Sequence, residues 1–187
     1  MHEISLSPVL GLRIVRPSVF RDFRGEYIET YNQQDVFPDL AFVQDSAILS
    51  TQDVLRGYHG DARTWKLITC LYGSFQIAFM CIDPQDGRFG QFEKLILDDQ
   101  ERLSVLLPPK FVNAHQCLTD ECLFFYKQTT FYKGQRFQYT IKWDSAYPGW
   151  WRRPVILSER DTQQGRYVSD YINPETNRLR LPEEVNT

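Results

Sequence analysis

The sequence predicts an all-β protein with jelly-roll architecture. Short β-branched or aromatic runs recur along most of the chain, Gly, Pro, Asp and Asn signals separate them, and helical periodicity is weak. Folding many short strands into two closed sheets hides most of their edges, which favours a jelly roll over an open sheet.

In chain order, Leu12 to Val15 lies between Gly11 and Pro17, and Glu26 to Tyr31 follows Gly25. Ala41 to Leu49 follows, and several of these runs alternate in polarity, the pattern of a half-buried strand. Lys66 to Tyr72 stops at Gly73, and Ser74 to Ile82 stops at Asp83-Pro84. Gln91 to Leu97 runs from Gly90 to Asp98, and Arg102 to Leu107 ends at Pro108-Pro109. Glu121 to Thr130 and Phe137 to Trp143 complete the series. Helical signals are confined to Asn32–Val36 and the residues after Ser158.

The 187 residues suit one domain, here 1–172, with the charged, proline-containing stretch 173–187 expected as a peripheral tail. Hydrophobic residues at 42% and aromatics at 14% exclude a disordered chain. A net charge of −3 gives no electrostatic basis for binding nucleic acid or an anionic membrane, so an anionic ligand would need local positive charge. No apolar run approaches the roughly 20 residues that span a bilayer. Cys70, Cys81, Cys117 and Cys122 lack CxxC spacing, and the N-terminus lacks the charged and apolar regions of a signal peptide, so reduced thiols and a cytoplasmic location are expected.

The most informative stretch is Val54 to Lys66, which places His59 between Arg56 and Lys66. A group that titrates near neutrality, flanked by a fixed cation and a lysine able to neutralise an oxyanion, suits proton transfer on an anionic substrate. The same Arg-Gly-Tyr-His run could instead close a β-turn. Metal chemistry is disfavoured: the histidines are His2, His59 and His115, with His2 at an end expected to be mobile. His59 has no second histidine two residues away on the same strand face. No metal and no cofactor are expected.

Further motifs follow in order: Asp22-Phe23-Arg24-Gly25-Glu26-Tyr27-Ile28-Glu29, Phe42-Val43-Gln44, Leu55-Arg56-Gly57-Tyr58-His59, Lys66-Leu67, a Pro-rich strand ending at His115, Lys127-Gln128-Thr129 leading to Tyr132, Ile141 to Asp144, and Ser158-Glu159-Arg160-Asp161. From Leu12 to Asp161 this ordered set resembles the nucleotide-sugar epimerases typified by dTDP-4-dehydrorhamnose 3,5-epimerase. The resemblance implies a dimeric, metal-independent, cupin-type jelly roll acting on a nucleoside-diphosphate-4-keto-6-deoxy sugar. It further implies His59 as base, Asp161 as its orienting carboxylate, Lys66 at the C4 oxygen and Tyr132 as the opposing proton donor. Arg24 and Arg56 become candidates for the diphosphate, Glu29 and Gln44 for hydrogen bonds to sugar or base, and Tyr27 for stacking. His115 is a candidate substrate contact or an interior hydrogen-bonded imidazole.

The chain departs from the family pattern at His59-Gly60-Asp61, at Ser46, and around His115, where Pro108-Pro109-Lys110-Phe111-Val112-Asn113-Ala114 precedes the histidine. These departures leave open the nucleotide, the sugar and whether one or two centres are inverted. A 3,4-ketoisomerase is the alternative enzyme, disfavoured by the absence of His-x-His after the Arg-Gly turn. A non-catalytic nucleotide-sugar-binding module is the alternative of a different class.

Overall fold

A computed structural model gives the structure of the protein and describes residues 2–145 and 154–186. The first strands, β1 (Glu3–Leu6) and β2 (Arg13–Arg16), pair antiparallel, and β3 (Val19–Asp22) with β4 (Gly25–Ile28) forms a separate hairpin. Then follow β5 (Gln44–Thr51), β6 (Leu55–Gly60), β7 (Lys66–Tyr72), β8 (Ser74–Cys81) and β9 (Phe92–Asp98). After these come β10 (Ser104–Leu107), β11 (Phe111–Cys117), β12 (Glu121–Gln128) and β13 (Tyr139–Thr140). A short helix α1 (Glu159–Gln163) and the pair β14 (Ile172–Asn173) and β15 (Arg178–Leu179) complete the chain.

The architecture is the predicted all-β one: a six-stranded sheet ordered β1-β2-β10-β7-β12-β5 faces a five-stranded sheet ordered β13-β6-β11-β8-β9. Between them lies a core that includes Ile68, Phe75, Ile77, Phe79, Val105 and Phe124, each at most 4% exposed. β8 is buried from Phe75 to Cys81 because both of its faces are covered. Phe75, Ile77 and Phe79 face the core between the sheets, whereas Ala78 and Met80 join a second cluster with Tyr139, Ile141 and Tyr171. A strand buried on both faces reads as a continuous apolar run rather than an alternating one.

That second cluster corrects the expectation of a peripheral tail. Leu179 and Val185 pack against it, the Tyr139 hydroxyl donates to the Arg180 carbonyl at 3.0 Å, and Asn186 Nδ2 donates to the Gln138 carbonyl at 2.8 Å. Glu175, Arg178 and Glu184 of the stretch face solvent, while Leu179 and Val185 pack toward the five-stranded sheet. His2 is not loose either. Its side chain is 2% exposed and its Nε2 stands 2.9 Å from the Glu29 carbonyl oxygen.

Other differences from the sequence reading have local causes. β1 lies outside the predicted series: Glu3-Ile4-Ser5-Leu6 alternates in polarity over only four residues, and all four are exposed. The segment Asn32–Val36 forms a turn rather than a helix, with the Val36 amide donating to the Asn32 carbonyl at 2.8 Å. Phe137 ends a 3₁₀ turn, so the predicted last strand is reduced to Tyr139–Thr140, with Ile141 adding a single bridge to Arg166. The helix after Ser158 forms as expected.

Candidate active site

The pairing of β6 with β11 sets the geometry of the site. Arg56 lies opposite His115 and His59 opposite Asn113, with a register shift between. Gly57 and Tyr58 therefore both stand against Ala114, a bulge that puts two residues opposite one. In a regular strand residues three apart face opposite ways; the bulge lets Arg56 and His59 line the same cavity. The extra residue needs a glycine: Gly57 has φ +119°, and a Cβ there would lie 2.5 Å from the Asn113 carbonyl oxygen. His59 is thus a strand residue beside a bulge, not part of a simple β-turn.

The carboxylate arrives from the other end of the chain. A bridge between Val54 and Ile156, with the Leu55 amide donating to the Ile156 carbonyl at 2.9 Å, lays the segment before α1 beside β6. Ser158 caps α1 by accepting from the Asp161 amide at 3.2 Å, and its hydroxyl donates to Asp161 Oδ2 at 2.9 Å. The other oxygen, Asp161 Oδ1, stands 2.7 Å from His59 Nε2, with the carboxylate side chain only 2% exposed. Nε2 being turned to the carboxylate, Nδ1 is the ring nitrogen left to exchange protons with a ligand.

These residues line a cavity of about 360 Å³ between the sheets, together with Arg56, Lys66, His115 and Tyr132. Among the described residues its charged lining consists of Arg56, Lys66 and Arg160 against the carboxylate Asp161. This is the local positive charge that an acidic chain needs to hold an anion. Arg56 is steadied by donating through Nε to the Ser50 hydroxyl at 3.0 Å. Lys66 begins β7, faces inward, and places its ammonium 5.6 Å from the Tyr126 ring centre.

Burial, reinforced by Arg160 and Lys66, holds the His59 imidazole below its usual pKa although Asp161 pulls the other way. Burial also works to raise the Asp161 carboxyl, but the His59 contact, Ser158 and Arg160 outweigh it and hold it below its usual value. At neutral pH the pair is therefore a neutral imidazole beside a carboxylate, the state of a general base. Burial lowers Lys66 to about 8, so it remains mostly protonated near neutrality. His115, 2% exposed and stacked on Phe124 with centroids 4.1 Å apart, is lowered to about 3, first by burial and then by Arg56 and His59. Among the described residues neither of its ring nitrogens has a hydrogen-bond partner, which leaves both free for a ligand.

Of the other sequence candidates, Gln44 stands at the rim, where its side-chain oxygen accepts from the Tyr132 amide at 2.8 Å. Arg24 and Tyr27 are not brought to the cavity: they sit on the β3–β4 hairpin, where Arg24 pairs with Asp22 at 2.6 Å and Tyr27 is 64% exposed. Glu29 is likewise outside, turned toward His2. Among the described residues, the group of His, Asp and Glu close enough to share an ion is His2, Glu29 and Asp35, apart from the cavity. Arg160 is the site residue that sequence reasoning passed over; it donates to Thr140 Oγ1 at 2.7 Å and to Gln138 Oε1 at 3.4 Å. Its place beside Asp161 in Ser158-Glu159-Arg160-Asp161 was the available signal.

Comparison with known proteins agrees with this geometry. Residues 7–168 match the family model of dTDP-4-dehydrorhamnose 3,5-epimerase. A dTDP-4-dehydrorhamnose 3,5-epimerase of Methanothermobacter thermautotrophicus is 30% identical over 161 residues, covering 81% of this chain and 86% of its own. The crystal structure of dTDP-4-dehydrorhamnose 3,5-epimerase from Elizabethkingia anophelis superposes with a TM-score of 0.79 at 28% identity, covering 90% of this chain and 97% of that one. A dTDP-6-deoxy-D-glucose-3,5-epimerase from Legionella pneumophila, solved with dTDP-4-keto-L-rhamnose, shares the cupin fold at TM-score 0.85 and 24% identity, covering 96% and 98%. The extent of the family match and the shared fold place this chain in the dTDP-4-dehydrorhamnose 3,5-epimerase family.

Proposed function

We propose that this member of the family inverts C3, C5 or both in a nucleoside-diphosphate-4-keto-6-deoxy sugar, with His59 and Asp161 as the base pair. The observation that carries the assignment of residues is the neutral His59, 2.7 Å from the buried Asp161 carboxylate, in one cavity with Lys66 and Tyr132. A C4 ketone acidifies the hydrogens at C3 and C5 because the electron pair left behind delocalises onto the C4 oxygen. His59 Nδ1 takes that proton, and Asp161 stabilises the resulting imidazolium. Lys66 donates to the C4 oxygen as it becomes an enolate; losing such a donor costs typically about 2.7 to 4 kcal/mol. Tyr132 returns a proton to the opposite face, and the enolate collapses to the ketone. One proton leaves and one arrives, so the reaction is redox-neutral.

Arg56 and Arg160 supply the cations for the diphosphate, and the unpartnered ring nitrogens of His115 supply a neutral polar contact. Gln44 acts through the Tyr132 backbone, fixing where the phenol enters. The dTDP-sugar bound by the Legionella relative supports a ligand of this class. A homodimer belongs to the same proposal: the β3–β4 hairpin projects Phe20, Phe23 and Tyr27 into solvent at 62%, 98% and 64% exposure, surface that a second copy would cover. Arg24 and Tyr27 would meet a nucleotide in that assembly and not within one protomer. The thiols are unpaired and buried, in keeping with a cytoplasmic location, and no described helix is long and apolar enough to cross a membrane.

Incubation of the dTDP-4-keto-6-deoxy sugar with protein in deuterated water, followed by proton NMR, tests the reading. Deuterium entering at C3 or C5 with inversion and retention of the C4 ketone is the expected result. Ketone migration would make the protein a ketoisomerase, and binding without exchange would make it a binding module.

A further inference from the structure

Away from the cavity, three side chains from separate segments converge: His2 before β1, Glu29 just after β4, and Asp35 in the turn that follows. His2 Nδ1 stands 3.9 Å from Glu29 Oε1 and 3.8 Å from Asp35 Oδ2. The imidazole is 98% buried by virtue of its 2% exposure, whereas the carboxylates are 37% and 48% exposed.

The ring's other nitrogen fixes its tautomer. Nε2 lies 2.9 Å from the Glu29 carbonyl oxygen, which can only accept, so Nε2 carries the hydrogen. Nδ1 then faces two carboxylates and, among the described residues, has no hydrogen-bond partner. Acceptors facing acceptors in a buried corner repel unless a cation lies between them. A proton on Nδ1 would leave both carboxylates at ion-pair rather than hydrogen-bond distance, because a hydrogen bond to nitrogen needs about 2.7 to 3.2 Å. A metal ion fits better. Ligands of tetrahedral zinc, each about 2.0 to 2.2 Å from the ion, stand roughly 3.3 to 3.5 Å apart, so each exposed carboxylate needs to close on the imidazole by only about half an ångström, and the three ligand atoms already lie within 4.8 Å of one another. A backbone carbonyl holding the far ring nitrogen is also the usual outer support of a metal-bound histidine.

We propose that His2, Glu29 and Asp35 form a divalent metal site, with zinc the ion that best suits one imidazole and two carboxylates. Two carboxylates neutralise the ion's charge, water completes its coordination, and the partial exposure of both acids gives it a way in. The ion has no part in the proton transfers at His59. It fastens the start of the chain to the exit of the β3–β4 hairpin and to the turn after it. Zinc would engage Glu29 through Oε1, the oxygen turned toward His2.

The test is calorimetric titration of zinc sulfate into untagged, metal-stripped protein slightly above neutral pH. One ion per chain with a dissociation constant at or below about 10 µM is expected. Removal of even outer-shell support costs about 10- to 100-fold, so His2→Ala and Asp35→Asn should each weaken binding at least about 100-fold. His59→Ala should leave it unchanged. Asp35 is half-exposed, so Asp35→Asn keeps the test decisive even where His2→Ala does not fold. Zinc should also raise the melting temperature of the wild type and of His59→Ala but not of Asp35→Asn. Absence of stoichiometric binding in this range, binding that survives Asp35→Asn, or binding lost in His59→Ala would each overturn the proposal.

Discussion

Replacing Asp161 with Asn tests the partnership with His59 at nearly constant shape. The amide can keep the contact with Ser158, and the α1 cap uses the backbone amide of residue 161, so the fold should survive. What disappears is the charge 2.7 Å from His59 Nε2. At that separation and an effective dielectric of about 20, the gross attraction between imidazolium and carboxylate is about 6 kcal/mol. Desolvation of the pair takes back part of it, leaving roughly 4 to 5 kcal/mol in the transition state. Each 1.36 kcal/mol is tenfold in rate, so kcat should fall about 10³- to 10⁴-fold. The pH profile supplies an independent sign. Burial already lowers the pKa of His59, and Asp161 opposes that. Losing Asp161 lowers it further, and the acid limb of kcat/KM should move to lower pH. The assay is epimerisation followed by NMR across a pH series. A variant within about threefold of wild type, or an acid limb displaced upward, would refute the reasoning.

Lys66→Met should abolish enolate stabilisation, lowering kcat by about 10² to 10³, while raising thermal stability at neutral pH. Burial lowers Lys66 to about 8 from 10.5, so the folded chain bears a penalty of about 3 kcal/mol wherever the lysine is charged in both states. That penalty is full below pH 8 and relieved as pH rises from about 8 to 10.5, so the variant's advantage should vanish across that window by calorimetry. Tyr132→Phe should still exchange substrate hydrogens with solvent through His59 but lose inversion by about 10²-fold or more, read as deuterium incorporation without change of configuration. Gly60→Ala should destabilise by about 1 to 3 kcal/mol in urea unfolding, because its Cβ would lie 2.4 Å from the Phe111 carbonyl oxygen beside His59.

β7 and β8 were legible in sequence because their apolar runs end at strong turn signals, and the observed Lys66–Tyr72 has the predicted bounds. β6 was not, since Leu-Arg-Gly-Tyr-His-Gly carries two glycines and little alternation; it is extended because β11 and β13 pair with it. β11 was absent from the strands read by periodicity, because Asn113, His115 and Gln116 interrupt its apolar residues although all are buried. The site residues His59, Lys66, Tyr132 and Asp161 were reachable through the ordered motifs. Their convergence was not, because it depends on the β6 bulge and on the Val54–Ile156 bridge, which join parts of the chain far apart in sequence. Arg24, Tyr27 and Glu29 matched motifs just as well, yet within one protomer they lie outside the cavity. Sequence order says which residues occur, whereas strand pairing decides which of them meet.

The most direct test of the account is deuterium exchange at C3 and C5 of the dTDP-4-keto-6-deoxy sugar by wild type and His59→Ala, with nucleotide binding measured on both. Exchange and inversion by wild type, with binding but no exchange in His59→Ala, is the predicted result. Exchange at the wild-type rate in His59→Ala would contradict the assignment of His59 as the base.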